Sequence, residues 1–247
     1  DWLARTATPP KTSQPGPAEF ETLYRLLARR FASIVSVHVS SGVSGTADSA
    51  RRAARQVSDE TGARIDVIDS RSASAGEACV VWAAARALEA GLDAAGASRV
   101  AQAAAEGVSV HVYVPTVRYF VLGGRLSPLR GRIARVLRLL PTLTMADGRV
   151  VPSGKTFGRR AAERRAVRLA LRQARHSADP LFVVSHSEAP DLAARYEAEL
   201  RRVFPTSEVL LAHAGPALGS HSGPGGAVIA TLDRARVERA IAEVLAA

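Results

Sequence analysis

The chain has 247 residues, 47% apolar and 23% charged, with a mean hydropathy of +0.03, so it can bury a core as one large domain or two small ones. No apolar run reaches the length of a membrane span, and the single cysteine, Cys79, excludes an internal disulfide and gives no thiolate cluster for a metal. The formal charge of +10 is carried almost wholly by arginine, but aromatics are only 5% and no nucleic-acid motif appears, so no nucleic-acid partner is expected.

In chain order, the opening "DWLARTATPPKTSQPG" is rich in Pro, Thr and Ser and reads as loop. It lacks the apolar centre of a signal peptide, which predicts a cytoplasmic protein. A helix is expected at "AEFETLYRLLARR", a strand at "SIVSVHV", a helix at "TADSARRAARQVSDET", a strand at "RIDVIDS" and a helix at "GEACVVWAAARALEAG". This alternation predicts βαβ units and a parallel sheet, with ligands at the carboxyl ends of the strands. The pattern changes after "LDAAGASRVAQAAAEG". A strand "VSVHVYVP" and a short helix "TVRYFVLGG" follow, then the mixed stretch "RLSPLRGRIARVLRLLPTLTM" and a turn plus strand at "DGRVVPSGKTF". Beyond these come a long helix from Arg159 to Arg175, a strand "PLFVVSH", a helix "APDLAARYEAELRRVF", two strands around a glycine-rich loop, and a closing helix. The expected architecture is α/β with two lobes, 1–106 and 107–247, and a cleft between them.

Several segments suggest chemistry. "SSGVSGT", Ser40 to Thr46, places four hydroxyls and two glycines where a strand passes to a helix. Glycines let backbone approach a ligand, and a helix N-terminus favours an anion, although one hydroxyl would suffice as a helix cap. A nucleophile elbow would read Gly-x-Ser-x-Gly, and the second glycine is out of place here. "PSGKTFG" resembles a phosphate loop, but Gly148 and Gly154 are separated by five residues instead of four, so Lys155 reads as structural. His221 stands between two serines in a run of glycines, and Arg125 follows Gly123 and Gly124; imidazole and guanidinium both suit an anion. Asp69, at a strand end, can cap or orient groups of the "SRSAS" loop. Arg160, Arg164, Arg168 and Arg172 form a basic stripe opposite Ala166, Val167, Ala170 and Leu171, either a solvated face or a docking surface for an acidic partner or anionic lipid.

Taken together, "KTSQPGPAEF", "HVSSGVSGTADSARRAA", "IDVIDSRSASAGEA", "VLGGRLS", "LLPTLTMADGRVVPSGKTFGR" and "GPALGSHSGPGG" resemble the DegV family of fatty-acid-binding proteins, in the family's order from Lys11 to about Gly226. The resemblance implies a DegV-like fold of two lobes: a first lobe with a parallel sheet flanked by helices, and a second α/β lobe with a mixed sheet. It implies a long-chain fatty acid in a buried apolar pocket, its carboxylate held by hydroxyls. Carried onto this sequence, the holders are Thr12 or Ser13 and Ser44, with backbone support from Gly45 and Thr46. Some members present the lipid to a separate fatty-acid kinase that phosphorylates its carboxylate, and there Arg125 and His221 match the arginine and histidine near the head group. The expectation is a carrier with no catalytic residues, cofactor or metal, whose partners are the fatty acid, a kinase subunit and, transiently, a membrane surface. The sequence begins past the family's usual first strands and carries Gly16 where the family usually shows Ser. A second reading from a different class is a hydrolase or phosphotransferase acting through Ser44 and His221, which requires those side chains within hydrogen-bond reach and an orienting acid.

Overall fold

A computed structural model describes residues 10–126 and 139–246 of the chain. The first helix, α1 (Pro17–Ala28), starts with proline at its first position, and Glu19 accepts a hydrogen bond from the Gly16 amide. It buries Phe20 and Tyr24 against Ala50, Ala53 and Val57 of α2 (Thr46–Thr61). Between these helices in sequence runs β1 (Ser33–His38), which pairs in parallel with β2 (Arg64–Asp69) from Ser33 opposite Arg64 to His38 opposite Asp69. The other face of this two-stranded sheet packs on α3 (Ala75–Glu89) and α4 (Ala94–Gly107): Val35, Val37 and Ile68 meet Val80, Ala84, Ala101 and Ala105.

The chain then enters a six-stranded sheet formed by β3 (Ser109–Tyr113), β4 (Leu139–Ala146), β5 (Arg149–Phe157), β6 (Pro180–Ser187), β7 (Val209–His213) and β8 (Gly226–Asp233). Their order is β5-β4-β3-β8-β6-β7, with only β6 and β7 parallel, so the sheet is mixed. One face is covered by α6 (Arg159–Ala174) and α7 (Pro190–Val203), where Tyr113, Phe182 and Ile229 pack on Ala166, Ala170 and Tyr196. The opposite face packs on α3, α4 and the closing helix α9 (Arg234–Leu245), through Leu181, Val183, Cys79, Val100 and Ile241. Helices α3 and α4 therefore form a layer shared by both sheets. Their many fully buried alanines keep that layer thin enough for close packing on each side.

Two short helices differ from the pattern or refine it. The expected short helix before Gly123 is α5 (Arg118–Leu122). The segment read as a glycine-rich loop contains α8 (Pro216–Ser222), started by Pro216 after Gly215. The proline's fixed φ suits a first helical turn, which outweighs the local glycine content. "LDAAGASRVAQAAAEG" forms α4, with the Asp93 carboxylate accepting from the Gly96 amide as its N-cap. "PSGKTFG" lies mainly within β5, in antiparallel register with β4, so Lys155 is a strand residue and not part of a phosphate cradle. Part of the mixed stretch, residues 127–138, lies outside the described residues. On α6 the four stripe arginines are exposed and Ala166, Val167, Ala170 and Leu171 are buried. No helix among the described residues is long and apolar enough to cross a membrane.

Candidate functional site

The β1–α2 loop divides its four hydroxyls between two jobs. Ser40 is buried and donates to the Gly148 carbonyl at 2.8 Å, tying the loop to the β4–β5 turn. Ser41 donates to the Asp69 carboxylate, whose other oxygen accepts from the Arg71 amide at 2.8 Å. Asp69 thus joins the loops at the ends of β1 and β2, the orienting task its position suggests. Ser44 and Thr46 remain for the site. Their hydroxyls are 2.8 Å apart, and Ser44 Oγ also accepts from the Thr46 amide at 3.3 Å.

The second hydroxyl loop serves mainly as scaffold. Ser70 Oγ donates to the Ser72 carbonyl, which in turn accepts from the Ser40 amide at 2.7 Å. Ser74 precedes α3 and does not cap it; its hydroxyl lies 2.6 Å from that of Ser185 on β6, a bond between the two parts of the molecule.

Arg125 and His221 approach from the larger sheet. The Arg125 guanidinium donates to the Val43 carbonyl at 3.2 Å and to the Gly123 carbonyl at 2.5 Å, so it spans from the end of α5 to the β1–α2 loop. His221 Nε2 is 2.7 Å from Thr12 Oγ1, although 209 residues separate them in sequence. Gly123 makes this position of the ring possible: a Cβ there would stand 2.3 Å from His221 Nδ1. Burial, reinforced by the Arg125 charge, holds His221 below its ordinary pKa, so the imidazole is neutral near pH 7.

These groups share one chamber of about 330 Å³, walled by Thr12, Ser13, Ser44, Thr46, Arg125 and His221. Gly45 stands behind the wall, where the Gln14 amide nitrogen lies 3.1 Å from the position of a Cβ. Ala73, Phe120, Val150, Leu218 and His221 are walls common to the chamber and to a second cavity of about 80 Å³. That cavity runs along Val110, Val112, Met145 and Val228 and is almost wholly apolar. The arrangement can receive an amphipathic anion: hydroxyls and one guanidinium at its head, aliphatic side chains along its tail.

Two ionisable groups in the chamber escaped the sequence reading. His38 ends β1, and its Nε2 is 2.8 Å from Ser36 Oγ, which accepts from the Tyr24 hydroxyl at 2.8 Å. Its place at a strand's carboxyl end was the available signal. Glu77, in the first turn of α3, also lines the chamber, and burial pushes its carboxyl up to about 7. An acidic residue opening a helix ordinarily signals only favourable interaction with the dipole.

A Ser44–His221 dyad is not formed. Ser44 Oγ is engaged with Thr46, His221 Nε2 with Thr12, and His221 Nδ1 is buried without a hydrogen-bond partner, so no acid orients the ring. Among the described residues no group of three or more His, Cys, Asp or Glu side chains is arranged to hold a metal ion.

Residues 1–233 match the family model described as "Uncharacterised protein, DegV family". A DegV domain-containing protein of Streptomyces coelicolor is 33% identical over 221 residues, which cover 88% of this chain and 76% of that one. Among solved structures, a DegV family protein from Thermus thermophilus, described by its fatty-acid binding, superposes with a TM-score of 0.81 at 27% identity, over 91% of this chain and 79% of its own. DegV of Bacillus subtilis, described as a fatty acid binding protein, gives 0.80 at 26% identity, with the same coverage of 91% and 79%. With its ordered motifs, its mixed sheet and these likenesses, the chain belongs to the DegV family.

Proposed function

We propose that this protein is a cytoplasmic carrier of a long-chain fatty acid, whose carboxylate lies in the chamber and whose tail enters the apolar cavity. The observation that carries this reading is the shared wall between a hydroxyl- and arginine-lined chamber and an aliphatic slot. Thr12, Ser13, Ser44 and Thr46 supply donors and Arg125 the opposite charge, while Gly45 lets the Gln14 side chain of the chamber wall pack against the start of α2. Each buried methylene contributes about 0.8 kcal/mol, so the tail dominates affinity and the head group fixes orientation.

Native mass spectrometry of the purified protein is expected to show one co-purified long-chain fatty acid; no extractable lipid and no uptake of added palmitate would defeat the reading. Ser44→Ala removes one hydrogen bond to a charged group and is expected to weaken binding about tenfold, read by fluorescent fatty-acid titration.

The same reading extends to a role for the protein as substrate subunit for a separate fatty-acid kinase, contributing no chemistry of its own. Arg125 and His221 both line the chamber, and in this reading an incoming phosphoryl donor meets the carboxylate beside them. His221→Ala is expected to leave fatty-acid binding nearly unchanged and to lower acyl-phosphate yield with a fatty-acid kinase. Equal yield from the variant would remove His221 from that role.

A further inference from the structure

The chamber that receives a carboxylate already contains one. Glu77 forms part of its wall from the first turn of α3, and among the described residues no hydrogen bond or ion pair satisfies its carboxyl. Few ionisable groups share the wall with it. β1 contributes His38, the segment after α5 contributes Arg125, and α8 contributes His221; α2 and the N-terminal segment contribute Thr46, Thr12, Ser13 and Gln14, none of them ionisable.

Both histidines are held below their ordinary range, chiefly by burial, with Arg51 adding to the effect on His38 and Arg125 on His221. They are therefore uncharged near pH 7. Among the described wall residues, Arg125 is then the single fixed cation, and one cation balances one anion. An ionised ligand and an ionised Glu77 together would leave an excess negative charge in a partly buried site, where like charges repel more strongly than in bulk water. Burial alone already shifts the Glu77 carboxyl up to about 7, and an arriving anion pushes it further in the same direction.

We propose that Glu77 binds the ligand as a neutral acid, donating its hydrogen to the bound carboxylate and restricting the chamber to head groups of a single negative charge. The proposal rests on the fatty-acid reading above. It makes binding and protonation one linked event: at pH values where free Glu77 is ionised, each fatty acid bound brings one proton onto it.

The test measures the affinity for cis-parinaric acid, kept below its aggregation threshold, from pH 6 to pH 9 for the wild-type protein, Glu77→Gln and Ser44→Ala. Wild-type affinity is expected to fall as pH rises above neutrality, approaching about tenfold per pH unit. Glu77→Gln keeps a donor without a charge and is expected to bind with little pH dependence. Ser44→Ala is expected to bind more weakly throughout and to keep the wild-type slope. Calorimetry of the wild-type protein at pH 8, in buffers of different ionisation enthalpy, is expected to show uptake of about one proton per ligand, and requires no variant. A pH-independent wild-type affinity, or an unchanged slope in Glu77→Gln, overturns the Glu77 proposal while fatty-acid binding stands. No binding by any of the three proteins at any pH overturns both.

Discussion

Val150→Trp is expected to weaken binding of palmitate by at least about 100-fold while weakening an eight-carbon acid far less. Val150 lies on β5 opposite Met145 of β4 and is a wall of both cavities, so it marks the passage from head to tail. It is only partly buried, and an indole suits a strand, so the larger ring can turn into the passage without opening the main core. The stated loss, about 2.7 kcal/mol, corresponds to denying burial to about three or four methylenes beyond the passage. The short acid keeps its carboxylate contacts and has little tail to lose. Isothermal titration with both acids, with thermal melting as a check on folding, measures the effect. Equal losses for the two acids would mean that Val150 acts on the head group, and no loss for palmitate would show that the tail takes another route.

The alternation of strands and helices was legible because β-branched runs such as "SIVSVHV" and "RIDVIDS" contrast sharply with alanine-rich helices. The sharing of α3 and α4 by two sheets was not read, although a signal was present. Cys79, Ala83 and Ala87 of α3 pack toward the larger sheet, and Val80 and Ala84 toward the smaller one. A helix apolar on more than one face is a helix buried on more than one face. The short α8 stayed hidden because seven residues give too little period to distinguish a helix from a glycine-rich loop.

The site was legible in its parts and not in its assembly. Nothing in residue spacing brings Thr12 to His221 across 209 positions; only the ordered motifs of the family implied a common head-group region. Counting hydroxyls in "SSGVSGT" also overstated the ligand contacts, since Ser40 and Ser41 hold the loop to Gly148 and Asp69. Serine beside a strand end does either job, and the partner that decides between them lies elsewhere in the chain. Glu77 is hidden for a related reason: its position on the helix is visible in sequence, while its partial burial in the chamber wall is a tertiary property.

The attachment of the β1–α2 loop to the β4–β5 turn leads to the second large effect. Gly42→Ala is expected to cost about 2–3 kcal/mol, a melting point lowered by roughly 5–10 °C for a chain of this size, together with weakened fatty-acid binding. A Cβ at position 42 would stand 2.4 Å from the Gly148 carbonyl oxygen and 2.9 Å from its carbon. The obstacle is backbone, so no rotamer change relieves it. The turn itself yields little, because Asp147 and Gly148 both take positive φ, 49° and 71°, in a tight hairpin between paired strands. The same carbonyl receives the buried Ser40 hydroxyl at 2.8 Å, so moving apart also strains that bond. Displacement of the loop carries Ser44 and Thr46 with it and opens the chamber at its hydroxyl side. Gly215→Ala is the matched control: its backbone is ordinary, with φ −64°, and nothing lies within 4 Å of the added methyl group. That variant is expected to melt with the wild-type protein. If Gly42→Ala also melts within a degree of wild type, the loop and turn are not held together as rigidly as the Ser40–Gly148 bond implies, and the hydroxyl side of the chamber is set by the Asp69 contacts instead.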